Sequence, residues 1–323
     1  MLLIDQISND KENTLKGLEK RGFKNLGVID EIIELNNIRK KTQQELDQIL
    51  FESNNISKEI AKIFKSGNKS NDTENLKSKS VTLKAKSKDL SDKLDKTKSD
   101  ILSLITTIPN LPDNHVPDGF TIDDNLEVFS SGEIKEIPEN LKNHWDLAKD
   151  LDIIDFELGS KVTGSGFPVY KGKGAKLQRA LINFFLDRNT SAGYTEFQVP
   201  HLVNSQSAFA TGQLPDKDGQ MYHVVNDDFY LIPTAEVPLT NIYRDSKLSI
   251  EELPILLTGY TPCFRREAGS YGSDVRGLNR LHQFDKVEIV RLEHPDNSSN
   301  ALTGMKEHIK SILSELELDF RIL

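Results

Sequence analysis

Little in this chain of 323 residues can cross-link it, anchor it or hold a metal in place. Cys263 is the lone cysteine, so no internal disulfide can staple the fold, as suits a reducing compartment. No apolar run approaches the ~20 residues a membrane-spanning helix needs, which argues against insertion in a bilayer. The opening Met1-Leu2-Leu3-Ile4-Asp5 lacks the basic start and long apolar core of a secretory signal, and a cytoplasmic location is expected. The histidines (His115, His144, His201, His223, His282, His294 and His308) show no close ligand spacing, so no structural zinc is expected. Aromatics make up only 7 % of the residues, and the formal charge of -9 argues against a generic polyanion binder.

The charge that is present is unevenly spread. Residues 61–98 hold eleven lysines against five acids, a local net charge of +6. The same region is periodic. Leu35, Ile38, Leu46, Ile49, Ile56, Ile60 and Ile63 recur near the three-and-four spacing of a helical stripe. Leu76, Ser80, Leu83, Ser87, Leu90, Leu94, Thr97, Ile101, Leu104 and Ile108 follow it more strictly. The polar, glycine-containing stretch 66–72 between them reads as a turn, so two long helices should pack antiparallel. The first, from near Asp30 to Lys65, would be roughly 54 Å long at about 1.5 Å per residue. A plain dimerisation coiled coil is one reading of this arm, and a phosphate-contacting arm with its lysines near the tip is the other.

Pro109, Pro112, Pro117 and Gly119 then stop helix, marking a linker over 111–120 between an arm of residues 1–110 and a domain of residues 121–323. Two domains suit the length. Beyond the linker, alternating helical and strand-like segments predict an α+β layout, an antiparallel sheet flanked by helices. Residues 174–188 read as an amphipathic helix with Leu177, Ala180, Leu181, Phe184 and Phe185 inward.

Residues 258–290 read as two strands around a glycine-rich loop, with charges inside the strands. Arg265, Glu267, Arg280 and Glu288 would each be costly unpaired on a half-buried face, so they should meet one another or a polar ligand. Strand alternation puts Cys263, Arg265 and Glu267 on one side and Phe264 and Arg266 on the other. Arg280, His282, Phe284, Lys286 and Glu288 share a parity, with an aromatic platform and a carboxylate roughly 13 Å apart at about 3.3 Å per residue. That span suits a nucleotide joined to a small acid.

The segments TPCFRREAGS and RGLNRLHQFDKVEIV resemble motif 2 of class II seryl-tRNA synthetases. The likeness continues through Thr234-Ala235-Glu236 in LIPTAEVPLTN, KGKGAKLQRALINFFLD and the helical arm, covering essentially the whole chain. It implies ATP-dependent activation of serine to seryl-adenylate and transfer to tRNA(Ser), and also to tRNA(Sec). It also implies a homodimer through residues 193–200, which resemble motif 1. By the resemblance, Arg265 would grip the α-phosphate and the serine carboxylate. Arg266, Glu267, Arg280 and Phe284 would complete the ATP site, with Glu267 on the adenine amino group, Phe284 under the ring and Arg280 toward the γ-phosphate. Thr234, Ala235, Glu236 and Glu288 would hold serine, the last reading its hydroxyl. Lys62, Lys65, Lys69, Lys77, Lys79 and Lys84 are the candidate tRNA contacts.

Without the resemblance, Arg265 and Glu267 could form an ion network, Phe284 could be core, and Glu288 could pair with Lys286 or Arg291. The loop 269–277 should close over ATP, although Ser273 stands where relatives carry a basic residue. Nothing after Val290 resembles the family's third motif, so a C-terminally truncated chain or fragment is expected. Mg2+ is expected with ATP, its ligand region falling in the absent portion. A tRNA-binding paralogue without turnover is the alternative.

Overall fold

The computed structural model describes residues 2–66, 71–119, 121–132, 140–267 and 276–323. These divide into two compact units, residues 1–129 and residues 130–322.

In the first unit, short helices α1 (Ile4–Asn9) and α2 (Lys11–Lys20) precede two long ones, α3 (Val28–Ser66) and α4 (Asn71–Ile105). At 39 residues α3 runs about 58 Å. The helices pair as an antiparallel hairpin: Leu46, Ile49 and Ile56 of α3 bury against Leu94, Leu90 and Leu83 of α4. The α4 stripe is as the spacing predicts, with Leu83, Leu90, Leu94, Thr97 and Ile101 buried. Lower on α3 the seam departs from it. Ile38 is exposed, and Ile32, Asn36 and Thr42 are buried instead. Asn36 is tolerated there because its Oδ1 accepts from Arg39 Nε at 3.0 Å. At the base, Leu2, Ile7, Leu18, Val28, Ile29, Ile32, Ile105 and Ile108 form a separate apolar cluster. Lys62, Lys65, Lys77, Lys79 and Lys84 are exposed; Lys69 lies outside the described residues.

The second unit opens with β1 (Phe129–Ser130), whose first residue belongs to the preceding unit, then α5 (His144–Asp150), β2 (Ile154–Asp155), α6 (Phe156–Val162), β3 (Val169–Tyr170) and α7 (Lys173–Ser191). It continues with β4 (Thr195–Glu196), β5 (Leu202–Asn204), α8 (Ser205–Ala210), β6 (His223–Val224), β7 (Phe229–Leu231) and α9 (Glu236–Asn241). Last come β8 (Ile255–Phe264), β9 (Gln283–Leu292), α10 (Ser298–Glu315) and β10 (Arg321–Ile322). The central element is the β8–β9 hairpin, antiparallel from Ile255↔Leu292 to Phe264↔Gln283, with β4 parallel to β8 on its other edge. A second sheet has the order β5-β7-β6.

Strand alternation sorts the hairpin. Leu257, Gly259, Thr261 and Cys263 share one face with Phe284, Lys286, Glu288 and Val290. Helix α9 packs on that side, where Ala235 and Leu239 bury against Leu257. The opposite face meets α7.

Helix α7 corrects the expected inward stripe. Leu177 and Ala180 are exposed, whereas Gly174 and Asn189 are buried. Two polar residues take sheet-facing positions because the sheet offers partners: Gln178 donates to Asp285 and Asn189 to Thr258. Gly174 is required by close approach, since a Cβ there would lie 2.1 Å from the Ile153 carbonyl oxygen.

Candidate active site

The strands end before the charges do. Arg265 and Glu267 follow β8 and Arg280 precedes β9, so none of the three lies within a strand. Arg265 still extends the ladder by one bond, its N–H donating to His282 O at 3.0 Å. Glu267 then breaks the alternation with a left-handed φ of 48°. That bend brings its carboxylate to Arg280, Oε2 accepting from Nη1 at 3.3 Å.

On the α9-covered face, Thr234 is the hub. It is buried, and its hydroxyl donates to Glu288 Oε2 at 2.7 Å while accepting from Lys286 Nζ at 3.1 Å and from the Glu236 amide at 3.2 Å. Lys286 Nζ also lies 2.7 Å from Glu288 Oε2. The Glu288 carboxylate is therefore held by one neutral and one cationic donor, leaving Oε1 as a further acceptor. Toward the open end of the hairpin, the Arg265 guanidinium sits 5.1 Å above the Phe284 ring, and its Nε donates to Pro233 O at 3.4 Å. Thr234, Ala235, Arg265, Phe284 and Glu288 thus converge on one side of the hairpin.

Two expected members stand apart. Arg266 follows the opposite parity and lies over the Tyr222 ring at 5.8 Å, because alternation turns it away from Arg265. Glu236 enters the cluster through its backbone N–H, and its side chain is exposed at the start of α9. Ser273 and residues 268–275 lie outside the described residues. The loop returns at Gly277-Leu278, where the Leu278 N–H donates to His144 Nε2 at 2.8 Å. Gly277 is needed there, with φ +69° and no room for a Cβ beside that imidazole.

Lys286 is the residue that sequence reasoning left out of the site. Its parity with Phe284 and Glu288 was the available signal. Glu288 does take the Lys286 pairing, and Glu267 pairs with Arg280 rather than with Arg265.

Cys263 is buried, and burial pushes its thiol pKa up, which keeps the sulfur an inert packing group. On the opposite face, Tyr260 donates to Asp285 Oδ1 at 2.6 Å. Burial, then that bond to the carboxylate, raises the phenol pKa. A cavity of about 580 Å³ lies on this side, lined by residues of α6, β3, α7 and the hairpin, among them Tyr170, Arg179 and Tyr260, and by Phe167 of the α6–β3 connection.

Among the described residues no group of three or more His, Cys, Asp or Glu converges as a metal site, so they do not by themselves supply the expected Mg2+ site. No helix among the described residues is long and apolar enough to cross a membrane.

A long helical hairpin and, separately, a β8–β9 hairpin carrying Arg265, Phe284 and Glu288 on one side match two known families. Residues 222–323 match the tRNA synthetase class II core domain (G, H, P, S and T), and residues 1–112 match the seryl-tRNA synthetase N-terminal domain. The fold is thus that of a class II aminoacyl-tRNA synthetase. The serine–tRNA ligase of Salinibacter ruber is 44 % identical over 323 residues, all of this chain and 75 % of that protein. That of Prosthecochloris aestuarii is 42 % identical, again with 75 % of its length covered. Seryl-tRNA synthetase from Pyrococcus horikoshii, solved with ATP, superposes with a TM-score of 0.85 at 30 % identity, covering 99 % of this chain and 76 % of the other. The chain belongs to the serine–tRNA ligase family and spans about three-quarters of the length of these relatives.

Proposed function

We propose that this chain activates serine with ATP and passes the seryl group to tRNA(Ser), with tRNA(Sec) as a second acceptor. A serine carboxylate oxygen attacks the α-phosphorus of ATP, forming a mixed anhydride and releasing pyrophosphate. The chain's task is to hold two anions in line and to stabilise the charge that grows on the phosphoryl oxygens. Arg265 takes that role, its planar fork reaching the serine carboxylate and the α-phosphate together. Phe284 supports the adenine ring, Glu267 accepts from its amino group, and Arg280 reaches toward the γ-phosphate. Arg266, over Tyr222, supports this end of the site from behind.

Serine is read at the other end. Glu288 accepts the hydroxyl proton, while Thr234, Ala235 and Glu236 line the place of the amino group. The carrying observation is the Glu288 carboxylate, held by Thr234 and Lys286 on the same face as Arg265 and Phe284. A half-buried carboxylate left one partner short makes an analogue without the hydroxyl a poorer substrate.

The arm contacts tRNA through phosphate. Lys62, Lys65, Lys77, Lys79 and Lys84 are exposed on it, and Lys69 belongs to the same set. A homodimer forms through α7 and β4. Exposed Leu177 on α7 is apolar area that a second copy would cover. The reaction takes place in the cytoplasm, with Mg2+ accompanying ATP. It would neutralise phosphate charge when bound, and no step here is derived through it.

Serine-dependent ATP–pyrophosphate exchange by the purified 323-residue chain tests the reading. Exchange with serine and not with alanine supports it. Binding of tRNA(Ser) without exchange would establish the paralogue reading instead.

A further inference from the structure

Behind the hairpin, on the side away from Thr234 and Arg265, a single line of three hydrogen bonds links four elements. His308 Nε2 on α10 lies 2.8 Å from Asn189 Oδ1 on α7. Asn189 Nδ2 donates to Thr258 Oγ1 on β8 at 2.8 Å. Thr258 Oγ1 donates to the Glu288 carbonyl oxygen on β9 at 2.8 Å. Thr258 is fully buried and Asn189 is 3 % exposed.

The direction of the line follows from proton count. Thr258 has one hydroxyl proton, and it goes to Glu288 O, so Asn189 must present its amide N–H₂ to Thr258 and its carbonyl to His308. The imidazole then donates from Nε2. His308 stacks on Tyr194 with ring centres 5.6 Å apart, and burial lowers its pKa, in keeping with a neutral ring. Glu288 is therefore gripped twice: by its carboxylate on the α9 side, and by its main-chain carbonyl from the α7 side. The Thr258 bond adds a side-chain tie to the Gly259↔Glu288 ladder pairing in fixing how far the Glu288 side chain projects.

We propose that Asn189 and Thr258 are positioning residues that set the serine specificity of this chain by fixing the backbone of Glu288, a function that rests on Glu288 reading the substrate hydroxyl. Removing the Thr258 hydroxyl takes from the buried Asn189 Nδ2 its acceptor and from Glu288 O a donor additional to its ladder pairing with Gly259, which loosens the backbone at residue 288.

Thr258→Val, Thr258→Ser, Asn189→Leu and Glu288→Gln in the full chain test this. Calorimetry gives the dissociation constants for ATP and, in the presence of a non-hydrolysable ATP analogue, for serine. Amide exchange is followed across residues 286–290. Thr258→Val and Asn189→Leu are expected to weaken serine binding roughly five- to tenfold and to leave ATP within about twofold. Thr258→Ser, which keeps the hydroxyl, is expected to restore serine binding, and exchange across 286–290 is expected to quicken in the valine variant alone of the two.

Equal loss for serine and ATP, or no rescue by serine at position 258, would mean general packing and overturn the inference. Should Asn189→Leu fail to fold, the Thr258 pair decides. Unchanged serine affinity in Glu288→Gln would instead sink the reading of Glu288, and with it the specificity role. Unaltered amide exchange in Thr258→Val would sink the positioning role whatever the ligands do.

Discussion

Replacing Glu288 with alanine puts the proposed serine pocket to its strictest test. The carboxylate accepts from Thr234 Oγ1 at 2.7 Å and pairs with Lys286 Nζ at 2.7 Å, and its side chain is 19 % exposed. Two losses follow. The first is structural: Lys286 keeps only Thr234 as a partner, and because it is 34 % exposed, water repays part of the lost pairing, leaving a cost of about 1–2 kcal/mol. The second is recognition. A hydrogen bond to a charged group contributes about 1.5–3 kcal/mol, equivalent to roughly 10- to 150-fold in affinity. The serine Michaelis constant in pyrophosphate exchange is therefore expected to rise roughly 10- to 150-fold, with that for ATP within about threefold. Urea unfolding run in parallel separates the two losses. If both Michaelis constants rose by the same factor in a folded variant, Glu288 would not be reading serine.

Substituting Lys77, Lys79 and Lys84 together with alanine should flatten the salt dependence of tRNA(Ser) binding by about 0.7–0.9 in log–log slope for each lysine that meets a phosphate. An unchanged slope would remove these lysines from the interface. Burial depresses the His308 pKa, so the unfolded chain takes up a proton at a higher pH than the folded one. Stability is thus full above the ordinary value near ~6.5 and falls as pH drops below it. Urea midpoints should decline from neutral to mildly acid pH, less steeply in His308→Gln, and equal slopes would refute the assignment. Gly159→Ala places a Cβ 1.6 Å from the Phe167 carbonyl oxygen. Despite better helix propensity it should destabilise by about 1–3 kcal/mol, and an unshifted thermal midpoint would mean the backbone yields freely.

How much of this was legible beforehand varied with the physics behind each feature. The middle of the α4 seam was readable, with Leu83, Leu90, Leu94, Thr97 and Ile101 buried as spaced, because a coiled pair buries one position in three or four; toward its end Ile105 is buried where the spacing gave Leu104. The face of the β8–β9 hairpin was equally plain, because alternation is a property of the extended chain. Arg266 fell outside the cluster by that same rule, although the family resemblance had drawn it in.

Local pattern failed where polar residues were buried. Asn36, Gln178 and Asn189 occupy inward positions, while Ile38 and Leu177 point out. A periodicity reading sends amides to the surface because it prices them unpaired; Asn36 is paired by Arg39 one turn along its own helix, whereas Asp285 and Thr258, which pair Gln178 and Asn189, are distant in sequence and no stripe reveals them.

The order of residues thus determined by itself the helical arm, the hairpin and the side of it on which Arg265, Phe284 and Glu288 stand, since these depend on helical and strand periods alone. Which partners each charge keeps was decided only by tertiary structure: Thr234 and Lys286 for Glu288, Arg280 for Glu267, Phe284 for Arg265. The physical reason is that a buried charge or amide settles where long-range packing brings a partner within about 3 Å, and that distance is not encoded in any run of neighbouring residues.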